Sequence, residues 1–256
     1  MNFTVVTIFP GMLEAFASHG IVRRAVESGR ITIGAIDIRD FAEGRHRVTD
    51  DRPYGGGSGM VMKPEPLAGA IRCAREACPG AKTILLSPQG RRFDQPEARA
   101  LAECRGIVFV CGRYEGVDER VYENFIDDEL SIGDYVLSGG ELAAMVIMDA
   151  VIRLVPGVLG NEQSPEADSF SDGLLEHAHY TRPPEFEGEF VPDVLLSGHH
   201  GDVERWRLES ALVRTFLKRP DLMEKRRFSA EEKRILQRWS RAIESIVRQD
   251  DRENDR

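Results

Sequence analysis

Ser131-Ile-Gly-Asp-Tyr-Val-Leu-Ser-Gly-Gly-Glu141 is rich in Gly and Ser, yet it runs directly into an apolar segment over residues 142–154. A solvated surface linker does not end that way. Glycines beside a buried helix bring backbone into close approach with something else. Two similar stretches lie upstream, Cys111-Gly-Arg-Tyr-Glu-Gly-Val-Asp118 and Leu86-Ser-Pro-Gln-Gly90. Each of the three adjoins a short apolar run with strand character, at 83–86, 107–111 and 129–132. Three glycine-bearing turns after three strands predict three loops gathered at one edge of a sheet. Open α/β sheets bind their ligands at the carboxyl edge of the strands.

Outward from these loops the pattern alternates. Residues 3–9 and 31–38 read as strands, and 12–27 as one helix stopped by Gly29. A helix over 64–77 opens with Pro and Glu, good first-turn residues. Residues 95–104 and 116–125 read as further helices, and 140–154 as a long apolar one. This βαβα rhythm predicts an α/β domain with a mostly parallel sheet. Pro156 and Gly157 stop the apolar helix, and the polar, acidic residues 160–173 read as an exposed interdomain linker. A Pro-rich passage over 180–192 shows no periodicity. Two helices follow, over 203–217 and 230–246, the second announced by the capping-box signature Ser229-x-x-Glu232. The expected division is therefore 1–159, a linker over 160–173, a small helical domain over 174–248 and a frayed tail over 249–256.

Composition bounds the function. With 41% hydrophobic and 30% charged residues, the chain is of ordinary globular type. Cys73, Cys78, Cys104 and Cys111 show no C-x-x-C spacing, which argues against a zinc site or a disulfide scaffold and for reduced thiols in a cytoplasmic protein. The first ten residues lack a basic leader and read as a strand, and no run reaches the roughly 18 apolar residues of a membrane span. The net charge of −9 hides a gradient. Residues 1–170 hold 18 Lys and Arg against 25 Asp and Glu, whereas residues 200–248 hold 13 against 8. A basic rear segment is compatible with local RNA contacts, and equally with solvated helix faces.

Two generic phosphate-binding readings fail. No Gly-Lys pair exists for a P-loop, and no G-x-G-x-x-G opens a helix after the first strand. The three loops instead resemble the cofactor loops of the bacterial tRNA (guanine-N1-)-methyltransferases of the SPOUT class. Phe9-Pro10, Pro53-Tyr-Gly-Gly-Gly-Ser-Gly-Met-Val-Met62, Asp168-Ser-Phe170, His179-Tyr-Thr-Arg-Pro183 and Val194-Leu-Leu-Ser-Gly-His199 are similar to further family segments, in the family's order. Ala143 departs from the pattern, which has Pro after Glu-Leu.

The resemblance implies a SPOUT-type sheet with a deep trefoil knot. It also implies an obligate homodimer with the active site at the subunit interface, and no membrane. The implied activity is transfer of a methyl group from S-adenosylmethionine to N1 of the guanosine at position 37 of tRNA, beside the anticodon. Asp168 is then the candidate base on N1, and Arg153 the candidate partner of O6. Taken as a lone residue, Asp168 reads as a solvated loop carboxylate or cap, and Arg153 as an i,i+4 partner of Asp149. The donor-binding candidates are Leu86, Ser87, Pro88, Gln89 and Gly90; Gly112, Arg113, Tyr114, Glu115 and Gly116; and Ser131, Ile132, Gly133, Asp134, Tyr135, Val136, Leu137, Ser138, Gly139 and Gly140. Glu115 resembles a position linked to Mg2+, with a plain surface carboxylate as the alternative. Arg45, His46, Arg47 and Arg52 around Gly55–Gly59, and Arg205, Arg214, Lys218, Arg219, Lys225, Arg226 and Arg227 in the rear, are candidate RNA contacts. His177, His179, His199 and His200 have no carboxylate or thiolate at ligand spacing and read as packing or RNA-facing residues. A relative that methylates ribosomal RNA or ribose, and an RNA-binding protein without catalysis, remain the competing readings.

Overall fold

The computed structural model describes residues 1–160, 168–224 and 226–254. The chain divides into two units, Met1–Glu162 and Gln163–Arg256. The first unit runs β1 (Asn2–Thr7), α1 (Gly11–Ala17), α2 (Gly20–Glu27), β2 (Thr32–Asp37), β3 (Asp50–Asp51), β4 (Val61–Met62), α3 (Pro64–Ala77), β5 (Lys82–Arg92), α4 (Gln95–Ala102), β6 (Gly106–Cys111), α5 (Glu119–Phe125), β7 (Asp128–Ser131) and α6 (Glu141–Ile152). Five strands pair in the order β2-β1-β6-β5-β7, and every pairing is parallel. The sheet expected from the βαβα rhythm is present.

Alternation along the strands explains why both faces carry helices. Ile84, Leu86, Ile107, Phe109 and Cys111 join one core cluster with Ala144, Ile147, Met148 and Val151 of α6. Their neighbours Leu85, Val108 and Val110 join a second cluster with Leu67, Ala70 and Ile71 of α3 and Val121 of α5. β6 is buried at every position, as a central parallel strand covered on both sides should be.

Several boundaries differ from the sequence reading. The helix expected over 12–27 is two helices, because Gly20 takes φ +61° and the Ser18 hydroxyl donates to the Ala15 carbonyl, ending the first. The helix expected from 116 starts at Glu119, since the Asp118 carboxylate accepts from Arg120 N–H as its cap. β5 is longer than expected. After Leu86 the chain swings out over residues 87–90 and returns, so that Leu130 of β7 faces both Leu86 and Arg91.

That edge is held by charge. Asp128 accepts from Lys82 Nζ at 2.6 Å and from Arg91 Nη2 at 2.7 Å. Burial alone raises its pKa, but these bonds outweigh it and bring the carboxyl down from 3.8 to about 2. The folded state therefore gains from Asp128 above its unfolded pKa and loses that gain as pH falls from about 4 toward 2. In urea unfolding, Asp128→Asn should be less stable than the parent at pH 6, with the gap closing across that acid range; a gap independent of pH would discard the linkage.

The second unit contains β8 (Glu185–Phe186), β9 (Glu189–Phe190), α7 (Asp193–Leu196), α8 (His200–Lys218), α9 (Pro220–Glu224) and α10 (Ala230–Asn254). Its core gathers Leu174, Leu212 and Ile235, with Leu208, Met223, Phe228 and Trp239 packed around them. The capping box forms: Glu232 N–H donates to Ser229 Oγ at 3.2 Å, and Ser229 N–H to Glu232 Oε2 at 2.6 Å. The passage read as aperiodic holds a tight hairpin, turned at Glu187 and Gly188, both at positive φ. Residues 249–254, expected as a frayed tail, continue α10. Of the expected linker, 161–167 lie outside the described residues, whereas 168–173 form hydrogen bonds within the second unit.

Candidate active site

β5, β6 and β7 are neighbours in the sheet, so the loops after Leu86, Cys111 and Ser131 emerge side by side. They enclose a cavity of about 440 Å³. All the loop residues singled out from the sequence line it except Gly90 and Asp134. Asp134 is exposed. Gly90 acts on the backbone instead: a Cβ there would lie 2.5 Å from Leu130 N and 2.6 Å from Glu129 C, so only Gly permits the return of β5 against β7. Gly140 lets the third loop close on the second, since its Cβ would sit 2.8 Å from Cys111 Cα. The close approach is sealed by Gly140 N–H donating to the Gly112 carbonyl at 3.0 Å, and by an antiparallel bridge between Arg113 and Gly139.

Sequence reading missed several wall residues. Leu85, Val117, Glu119, Tyr122, Glu129, Leu130 and Ala143 complete the lining. Glu119 and Tyr122 are one turn apart on α5, directly after the second loop, and that helical spacing was the available signal.

The support behind the cavity was also invisible in the sequence. Glu141, 1% exposed, opens α6 and accepts from Thr7 Oγ1 at 2.7 Å, across 134 residues of chain. Phe9 N–H donates to the same Thr7 hydroxyl at 2.9 Å. Arg113 reaches Glu141 at 3.4 Å and lies 4.3 Å over the Phe9 ring. A buried carboxylate thus fixes an arginine in the cavity wall. Burial, and next the Glu141 charge, push the Cys111 thiol up, so it is not a thiolate nucleophile.

A donor with an adenosine and an amino-acid end fits a cavity of this size, whose glycines put no side chain between a ligand and the main chain. Glu115, the candidate for Mg2+, lines the cavity. Its side chain packs close against Gly59, and among the described residues no group of three His, Cys, Asp or Glu side chains is placed to hold a metal ion.

With that geometry in place, comparison with known proteins decides the family. A model of the tRNA (guanine-1)-methyltransferase TrmD family matches residues 1–225. The chain belongs to the TrmD family. It is 61% identical over 248 residues to the tRNA (guanine-N(1)-)-methyltransferase of Desulfatibacillum aliphaticivorans, covering 97% of this chain and 95% of that protein. It is 56% identical over 245 residues to the enzyme so named in Syntrophotalea carbinolica, covering 96% and 99%. The one so named in Geobacillus kaustophilus is 50% identical over 244 residues, covering 95% and 100%.

The other TrmD-type candidates are distributed over both units. Arg153 caps α6, its N–H donating to the Asp149 carbonyl at 3.3 Å. Asp168 lies in the second unit. His177 sits 4.5 Å from His179 and 6.2 Å from Trp206, ring to ring, in an aromatic cluster. Among the candidate RNA contacts, Arg47 pairs with Asp40, Arg205 with Asp202 and Arg219 with Asp221. Arg226, its side chain 14% exposed, is spent on Asp172 and Glu232. Arg214 Nε is buried with no hydrogen-bond partner among the described residues. Lys225 lies outside the described residues. No described helix is long and apolar enough to cross a membrane.

Proposed function

We propose that this chain methylates N1 of the guanosine at position 37 of tRNA, next to the anticodon, with S-adenosylmethionine as donor. The observation that carries the reading is the cavity built by three glycine loops at the carboxyl ends of three adjacent parallel strands, in a chain of the TrmD family. Bound S-adenosylmethionine supplies an electrophilic methyl carbon on a sulfonium that leaves readily. The protein's task lies with the acceptor. N1 of guanosine carries a proton, and charge develops at O6 as that proton departs. Asp168 takes the N1 proton, and Arg153 meets the charge at O6. Backbone groups of Leu86, Gly112, Ile132, Gly133, Tyr135 and Leu137 hold the donor. No step is assigned to Glu115 through a metal.

The homodimer reading is supported by α6. Leu142 and Val146, one turn apart, are about half exposed, and Val136 beside them in the sequence is 89% exposed. Exposed apolar surface of that kind supports burial against a second copy. Close passage of the loop at 112 beneath 139–140 supports a knotted path. The basic helices of residues 200–248 are the proposed tRNA-binding surface, and a tRNA substrate supports a cytoplasmic enzyme. Purified protein incubated with labelled donor should methylate transcripts carrying guanosine at position 37 and leave those lacking it unlabelled. Equal labelling of both would reject the target.

A further inference from the structure

The residue proposed as base begins a small lobe that the chain closes on itself. Ser171 N–H donates to the Asp168 carbonyl at 3.2 Å, and Phe170 N–H to the Leu174 carbonyl at 2.7 Å. Glu176 N–H returns to Ser169 Oγ at 3.0 Å. Beyond the lobe the chain runs antiparallel along α8 and is pinned there twice. Leu175 N–H donates to Thr215 Oγ1 at 2.9 Å, and Ala178 N–H to Ser210 Oγ at 3.0 Å.

Thr215 is fully buried, and its hydroxyl donates to the Ala211 carbonyl one turn back at 2.7 Å. That bond fixes the rotor and turns a lone pair toward Leu175 N–H. The flanking core positions, Leu212 and Leu208, are aliphatic, so packing alone does not call for a hydroxyl here. On its other side the lobe is held by Arg226, whose Nε donates to the Asp172 carbonyl at 2.7 Å while Nη1 meets Glu232 at 2.7 Å. Asp168 is therefore rooted in a segment gripped by α8 and by the cap of α10.

We propose that Thr215, seconded by Ser210, is a positioning residue for methyl transfer. Its hydroxyl fixes where the lobe sits on α8, and so where the Asp168 carboxylate is presented. This rests on Asp168 being the base. It touches neither donor nor base itself. A base displaced by a fraction of an ångström still lets both substrates bind but transfers the proton less well.

Thr215→Val keeps the shape and deletes the acceptor. In single-turnover assays at saturating S-adenosylmethionine and tRNA transcript, its rate should fall about tenfold, the loss expected for a misplaced catalytic group. Dissociation constants for donor and tRNA should stay within about twofold, and Thr215→Ser should restore the rate, because the conservative hydroxyl accepts the same bond. A parental rate for Thr215→Val at saturation, beside a slow Asp168→Asn, would overturn the positioning role and leave the base assignment standing. Full activity of Asp168→Asn would remove the base and this inference together. Equal loss of rate and of both affinities would reduce Thr215 to a general structural residue and overturn the proposal. If melting shows that Thr215→Val does not fold, Ser210→Ala decides: a loss of about threefold in rate alone is expected from the lesser bond, and an unchanged rate would overturn it.

Discussion

Asp168→Asn is expected to slow methyl transfer by about 10²- to 10⁴-fold, the contribution of a positioned general base. The amide keeps the size of the carboxylate but cannot accept the N1 proton. Donor affinity should hardly change, because the cavity proposed for the donor is lined by residues of the first unit alone, from Leu85 to Ala143. Rapid-quench single-turnover rates give the first quantity and calorimetric titration with S-adenosylmethionine the second. A variant as fast as the parent would show that deprotonation is not the task of Asp168. Loss of donor binding in step with the rate would place Asp168 in the cofactor site.

Gly140→Ala is expected to weaken donor binding by about tenfold to a hundredfold. Ala fits the local φ of −77°, so backbone strain is not the cause. The added methyl lands 2.8 Å from Cys111 Cα and 3.3 Å from Gly112 N, atoms of main chain that cannot rotate away. The two loops must part, and overpacking of this kind costs about 1–3 kcal/mol, where 1.4 kcal/mol is tenfold in affinity. Gly34→Ala is the control, since a Cβ there meets nothing within 4 Å. Titration with donor reads both variants; Gly140→Ala binding as tightly as Gly34→Ala would show that the loops have slack.

How far the sequence carried this picture follows from the range over which each feature is decided. α3 lies where its Pro-Glu start and apolar spacing put it, and the three loops follow their strands, because local composition sets both. The break at Gly20 turned on one backbone angle within a helical pattern. The return of β5 after Gly90 needed the position of Leu130, forty residues on, which no local spacing encodes. Glu141 is the clearest case. Its charge stands beside two glycines at the start of α6, with no local sign of its partner, Thr7, on a strand made at the opposite end of the domain. Lining residues were legible as glycine and serine; their buried supports were not.

The sheet order has a consequence for synthesis on the ribosome. β6 pairs with β1, and β7 with β5, while α6 packs on that sheet, so the cavity proposed for the donor is complete once the first unit, Met1–Glu162, has left the exit tunnel. Domains fold as units during translation, amino-terminal first. The first unit can thus close around its proposed methyl-donor pocket before α8 and α10 have emerged, and a chain that stalled there would carry that pocket without the helices proposed to hold tRNA.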